Sequence, residues 1–242
     1  QNNTEDYTLE IHAVVLYLDT VKYCILFLQT DQETVILRKD VVSKINAIEQ
    51  LARSQKIRDG ELKDAVHEIL EVSSIATATS RVSLWKYGES KDTIRCIGSF
   101  ENGAFAAYES KELPSISKPA YFKLFEQEKI IVATDAQSNE YMQELKFDYL
   151  IPNNIQAMMD VPVRIEGEVV GVFCFEHVGS TREWTLDDQK FGLIAAQMIS
   201  LAIETSEKKK LQLELEKTLK QQQNLFIESN HRVKNNLSII SS

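Results

Sequence analysis

Hydrophobic positions along this chain change period once, and the change divides it. Over residues 11–28 the apolar positions Ile11, Val14, Val15, Leu18, Val21, Ile25 and Leu28 follow helical spacing, and Leu16, Tyr17 and Phe27 widen the stripe. This predicts a helix buried on more than one side, under a partner helix or a second chain. Val, Tyr and Ile also favour strands, so a strand pair is the competing arrangement. Val42, Ile45, Ile48 and Leu51 mark a second helix, which Asp59 and Gly60 break. Leu62, Val66, Ile69 and Val72 mark a third.

The period then falls to two. Residues 81–87 alternate and read as a strand that turns at Gly88, and residues 93–100 as another. Pro119 opens a short helix over residues 120–127, in the first turn where proline is favoured. Residues 130–134 are a third strand, and Asp135 is a candidate cap for a helix around 139–145. Residues 156–165 and 168–176 pair as a hairpin across Glu166 and Gly167. Residues 169–175 are apolar on both parities, which predicts a central strand covered on both faces.

From residue 185 to 242 there is no proline and only one glycine, Gly192, so a single long helix is expected, on the order of 80 Å at about 1.5 Å per residue. Phe191, Ile194, Met198, Leu201 and Ile203 suit packing on the sheet. Beyond Glu204 the composition is charged and rich in Gln, and such a stretch needs another helix to pair with. The chain thus divides into an N-terminal helical segment (1–43), a central α+β domain (44–204) and an outgoing helix (205–242).

A net charge of -9 argues against a nucleic-acid partner, which needs a basic surface. In so acidic a chain the lysine run 208–210 reads as a solvated helix face. Cys24, Cys96 and Cys174 form no CxxC pair and are odd in number, as expected of unpaired thiols in a reducing, cytoplasmic setting. No signal-peptide pattern opens the sequence. Asp19 and Lys22 interrupt its most apolar run, against a membrane span, although attachment of a longer chain to a membrane stays open.

One histidine stands out on the outgoing helix. Leu219, Phe226, Val233 and Ile240 recur every seven residues, and Gln222, Ser229 and Asn236 follow three behind. Taken as a and d positions they form a seam with polar d residues, weak enough to shift register. His231 then falls at f, facing away from the partner helix. That placement leaves a solvated histidine or one exposed for another molecule to reach. A neutral imidazole is a competent nucleophile near pH 7, and the neighbouring Arg232, Lys234, Asn235 and Asn236 suit phosphate oxygens.

The string HRVKNNL at 231–237 resembles the phosphoacceptor box of sensor histidine kinases of the HWE-like branch. The commoner kinase branch has an acid directly after the histidine; here Arg232 stands there, so that base is not carried over. The middle of the chain, from about 45 to 204, resembles a GAF domain, a small-molecule-sensing module. The strings RVSLW (81–85), PAYF (119–122), ATDA (133–136), AMMDVP (157–162), GVFCFEH (171–177) and REW (182–184) carry that likeness.

The resemblance implies an antiparallel sheet of about five or six strands with helices on both faces. It implies a ligand pocket over one face, for which Tyr149, Met158, Asp160, His177 and Trp184 are the candidate lining residues. It also implies that His231 accepts a phosphoryl group from ATP and passes it to an aspartate of a response regulator. Arg232 and Lys234 would neutralise charge, and Asn235 and Asn236 would orient helix or phosphate. ATP and Mg2+ belong to the full kinase; the chain carries no recognisable nucleotide domain and reads as a piece of something longer. The seam implies a parallel homodimer. The alternative is a ligand-binding regulatory or dimerisation module without phosphotransfer.

Other clusters carry less. Cys174, Glu176 and His177 have the chemistry of metal ligands, but on a strand His177 points away from the other two, so no metal site is expected. Asp135, Asp148, Asp160 and Glu176 could pair for acid–base chemistry, but no spacing forces them together, and they read as solvated acids of loops and strand ends.

Overall fold

The computed structural model describes the main chain over residues 10–18, 21–29, 31–88, 90–106 and 112–240, and side chains over 40–88, 90–106, 112–115 and 117–230. Strands β1 (Glu10–Leu18) and β2 (Val21–Gln29) form an antiparallel pair, in register from Leu18 opposite Val21 to Glu10 opposite Gln29. The helix expected over 11–28 is therefore wrong, and with it the all-helical character of segment 1–43. A stripe widened onto both parities had lost its helical signature, and the β-branched and aromatic residues that widened it favour a pleated surface.

Helix α1 (Asp31–Ala52) follows, then the short α2 (Gln55–Arg58) and α3 (Leu62–Thr77). Ser54 caps α2, its Oγ accepting from the N–H of Ile57 at 3.4 Å. Helix α3 stops where Ala78 takes a left-handed φ of 47° and the chain turns into the sheet.

Among the described residues the main sheet has seven strands: β3 (Arg81–Tyr87), β4 (Thr93–Glu101), β5 (Ala104–Ala106), β6 (Glu112–Pro114), β7 (Ile131–Ala133), β8 (Ile155–Ile165) and β9 (Glu168–Val178). Their order is β5-β4-β3-β9-β8-β7, with β5 and β6 sharing the outer edge of β4 and every pair antiparallel. The β8–β9 hairpin turns through Glu166 and Gly167, both at positive φ, as tight hairpins require. Strand β9 is central, as its apolar run predicted, and is buried from Val169 to Glu176 except for the partly buried Val170.

Alternation along the strands feeds two separate cores. On one face Val82, Leu84, Met159, Val161, Phe173 and Phe175 meet α1, α3 and the final helix α5 (Leu186–Ile240). On the other face Trp85, Met158, Val172 and Cys174 meet helix α4 (Pro119–Gln127) and two turns, a 3-10 helix over Glu140–Leu145 and a π turn over Lys146–Leu150. The fold is thus an α+β sheet covered on both sides, as expected. The cap of the 3-10 turn is Asn139, whose Oδ1 accepts from Tyr141 N–H at 2.9 Å, and not Asp135.

Gly192 explains why α5 carries a glycine. A Cβ there would lie 3.1 Å from Met159 Cε and 3.2 Å from Val161 Cγ2, so a side chain would press both by a few tenths of an ångström, and the glycine eases the close approach of the helix to β8. The helix touches the domain as far as Lys209, whose Nζ reaches the carbonyl of Asp59 at 2.9 Å and Glu61 Oε1 at 2.6 Å. From Glu207 to Asn230 every side chain is exposed.

A buried charge joins the three helices of this face. Asp188 closes a reciprocal cap with Thr185, each backbone N–H donating to the other side chain at 3.1 Å. Its Oδ1 lies 3.1 Å from the ammonium of Lys44 on α1, close enough for charge pairing though not aligned as a hydrogen bond. Arg182 stands 3.5 Å from Oδ2 and donates to the carbonyls of Thr77 and Ala78 at the end of α3. Replacing Asp188 by Ala leaves Lys44 buried with only the half-exposed Asp40. Urea unfolding should show a loss of about 3 kcal/mol. The same change at the exposed neighbour Asp187 should stay within about 0.5 kcal/mol.

Candidate functional site

The second face of the sheet holds a small cavity of about 20 Å3. Trp85 of β3, Tyr121 and Phe122 of α4, and Tyr149 of the π turn form its aromatic wall. Met158, Val172 and Cys174 rise from the sheet to complete it, with Leu145 above. Such a volume admits about one water, whereas ligand pockets span roughly 300–1,000 Å3. As it stands the cavity is therefore too small for such a ligand.

Behind the apolar wall run two polar rows, set by strand register. Asp160 on β8 faces Cys174 on β9, which faces Ser83 on β3. One step along, Met158 faces Glu176, which faces Arg81. Asp160 and Glu176 are both completely buried. Each takes a hydroxyl from the covering layer: Tyr121 donates to Asp160 Oδ2 and Tyr149 donates to Glu176 Oε1, both at 2.6 Å.

The two acids differ in their charge partners. Arg81 donates to Glu176 Oε2 at 3.2 Å and to Glu101 at 2.6 Å. Burial works against the guanidinium charge, but the two carboxylates outweigh it and hold Arg81 above its usual range. Glu176 is raised by burial, with Arg81 and Tyr149 opposing. Asp160 has no ion-pair partner among the described residues, and its Oδ1 has no hydrogen bond. Burial pushes it up to about 7 against the bonds of Tyr121 and Cys174, with Glu176 adding to the rise. Burial likewise lifts the Cys174 thiol and both tyrosine hydroxyls well above their ordinary values. Cys174 is thus a neutral thiol and not a nucleophile.

The covering layer is fastened from the solvent side. Glu144 accepts from the N–H of Tyr121 at 2.9 Å and of Ala120 at 3.3 Å, at the start of α4. The buried ammonium of Lys118 donates to the Glu144 carbonyl at 2.8 Å and to Asp148 at 3.0 Å.

Of the five candidate pocket residues, Tyr149 and Met158 wall the cavity and Asp160 lies just behind it. His177 and Trp184 do not join them, and that expectation is corrected. His177 follows Glu176 by one residue and so faces away, with Nε2 3.3 Å from Ser180 Oγ. Burial, then Arg182, hold it below its ordinary value. Trp184 belongs to the opposite core, edge-on to Phe175 at 6.5 Å and beneath the Arg182 guanidinium at 4.5 Å. Asp160 and Glu176 are not the solvated acids expected; Asp148 is exposed and Asp135 half-buried, as surface acids. Trp85, Tyr121 and Phe122 went unnoticed as site residues, because aromatics on short amphipathic elements look like ordinary core. The main chain of α5 is helical through His231, Arg232, Lys234, Asn235 and Asn236, whose side chains lie outside the described residues.

A family profile for the GAF domain matches residues 61–203. A comparison with curated proteins gave no match. Among solved structures, the chain is similar to the photosensory core module of a phytochrome from Stigmatella aurantiaca, with TM-score 0.58 and 13% identity, covering 86% of this chain and 44% of that one. It is similar to the chromophore-binding domain of a bacteriophytochrome from R. palustris, with TM-score 0.58 and 12% identity over 83% of this chain and 71% of that one. It is also similar to the GAF domain of an Acinetobacter phosphoenolpyruvate-protein phosphotransferase, with TM-score 0.55 and 14% identity over 70% of this chain and 95% of that one. The chain thus spans less than half the length of the photosensory core module, and at these identities the likeness is one of fold.

The raised Asp160 sets a pH dependence. An unfolded aspartate binds its proton only below about 4, whereas the folded one holds it up to about 7. The folded state therefore binds more protons between those values, and stability falls as pH rises through that window. Glu176 acts with the same sign and His177 with the opposite one. Urea midpoints at pH 5 and pH 8 should show wild type losing stability on the way up, and Asp160→Asn losing distinctly less.

Proposed function

Because this chain belongs to the GAF domain family, we propose that its sheet domain is the sensor of a two-component histidine kinase of the HWE-like branch, and that His231 is the phosphoacceptor. A small molecule taken up at the cavity face changes how the domain holds α5. The helix carries that change to His231, which takes the γ-phosphoryl of ATP and hands it to a response-regulator aspartate. Transfer of this kind rests on positioning and charge neutralisation. Arg232 and Lys234 supply positive charge beside the imidazole, and Asn235 and Asn236 hold helix or phosphate. The nucleotide and its Mg2+ are the business of a kinase ATP-binding domain.

The observation that supports this most is the continuity of α5: one 55-residue helix begins under the sheet and runs past His231. Its free part presents Leu219, Phe226 and Ile227 to solvent, apolar area that calls for a partner. We take that partner to be a second copy, paired in parallel along the seam of Leu219, Phe226, Val233 and Ile240. Among the described residues no helix is long and apolar enough to cross a membrane.

A tetrapyrrole chromophore, such as the phycoerythrobilin bound by the GAF domain of a cyanobacterial phytochrome of similar fold, is not part of this proposal. A cavity of about 20 Å3 does not hold a tetrapyrrole, and Cys96 and Cys174 are buried.

The acceptor assignment is tested by supplying a histidine-kinase ATP-binding domain in trans with ATP radiolabelled on the γ-phosphate. Wild type should gain an acid-labile label and His231→Gln should gain none; equal labelling of both removes His231 as acceptor. The partner assignment is tested by sedimentation: wild type should run as a dimer, and the double variant Leu219→Glu, Phe226→Glu as a monomer with unchanged circular dichroism of the sheet domain.

A further inference from the structure

The cavity's wall and the acid behind it fit one chemical class of ligand. We propose that it is an aromatic cage for a small organic ammonium ion, with Asp160 as the counter-charge. This rests on taking the cavity face as the sensing site.

Three elements bring four rings to one small space. Trp85 and Tyr149 meet edge to face at 6.1 Å and 81°, and Tyr121 and Phe122 at 5.2 Å and 74°. A cation beside such rings is drawn by their quadrupoles, most strongly where water is excluded. Both tyrosine hydroxyls donate to carboxylates, which polarises the rings toward greater electron density. Among the described residues the remaining wall is hydrocarbon and one neutral thiol, with no polar group suited to a sugar or phosphate.

Charge decides the sign of the guest. Glu176 is neutralised by Arg81, but among the described residues Asp160 has no cation beside it and its Oδ1 accepts no hydrogen bond, although it is completely buried. An ammonium ion lets Asp160 give up the proton that it otherwise keeps to near neutral pH and become the counter-charge, whereas an anion would find Arg81 already paired with Glu176 and Glu101. Asp160 is within reach of a guest: Tyr121, which covers it, and Cys174, opposite it across the ladder, both line the cavity. Entry moves the Tyr121 ring outward, and with it the start of α4 and the Glu144 bonds that fasten the turn beside it. A charged head then reports its arrival by shifting a structural element.

Choline and 3,3-dimethyl-1-butanol have the same shape and differ by the charge, so they separate the possibilities. At matched ionic strength, millimolar choline should raise the melting temperature of wild type by several degrees, and the neutral alcohol should not. The N-methyl proton resonance of choline should broaden and move upfield, as it does only next to ring faces. In Asp160→Asn, checked for native circular dichroism, affinity should fall at least ten-fold. If the alcohol stabilises wild type and Asp160→Asn as well as choline does, the charge preference is wrong while the cavity remains a sensing site. If neither compound shifts the melting temperature or the resonance, the cage is overturned outright. The His231 labelling result stands or falls separately from both.

Discussion

Two carboxylates sealed away from water constrain this domain more than any other feature. A buried acid needs a cation, several donors or a proton. Glu176 is served by Arg81 across the sheet and by Tyr149 from above. Asp160 is served by Tyr121 and the neutral Cys174 thiol, with no cation beside it among the described residues, and keeps a proton to near neutral pH. Both tyrosines come from segments that would otherwise have little reason to cross the sheet: a nine-residue helix and a single π turn. Their hydroxyls pin the covering layer to the strands, and the gap left between their rings is the cavity.

The other face obeys a different rule. There the sheet meets hydrocarbon and a closely laid helix, and the charges are gathered at the end where α1, α3 and α5 meet. Strands β8 and β9 serve both faces through alternate residues. Met158 looks into the cavity, while Met159 beside it touches the bare backbone of Gly192. A shift of the strand under a guest has only one residue to travel before it reaches the helix that leaves the domain.

Much of this was legible from the order of residues. The strands over 81–87, 155–165 and 168–178 announced themselves by alternation, or by an apolar run long enough to need cover on both sides. The three-residue strands β5 and β6 did not, because so short a segment has no period; they exist because the edge of β4 offers unpaired backbone. The first hairpin was hidden by apolar residues dense enough to satisfy two periods at once. At the candidate site, Tyr149 and Met158, chosen by their place in the chain, line the cavity. The parity of β9 already set His177 on the far face, and Trp184 is claimed by Phe175 and Arg182. What sequence could not show was the tyrosine–carboxylate pairing, which joins residues 39 and 27 positions apart through the fold alone.

The uninterrupted helix also fixes an angle. From Lys209, which is bonded to Asp59 and Glu61 of the domain, to His231 is 231 − 209, or 22 residues. At 3.6 residues per turn that is roughly six turns and 40°, and roughly 33 Å of travel. The histidine's backbone therefore lies nearly in line with the anchor, as a cam lies on its shaft. A twist of the helix at the domain would swing the histidine through the same arc, so its bearing toward any partner is set by counting residues as much as by chemistry.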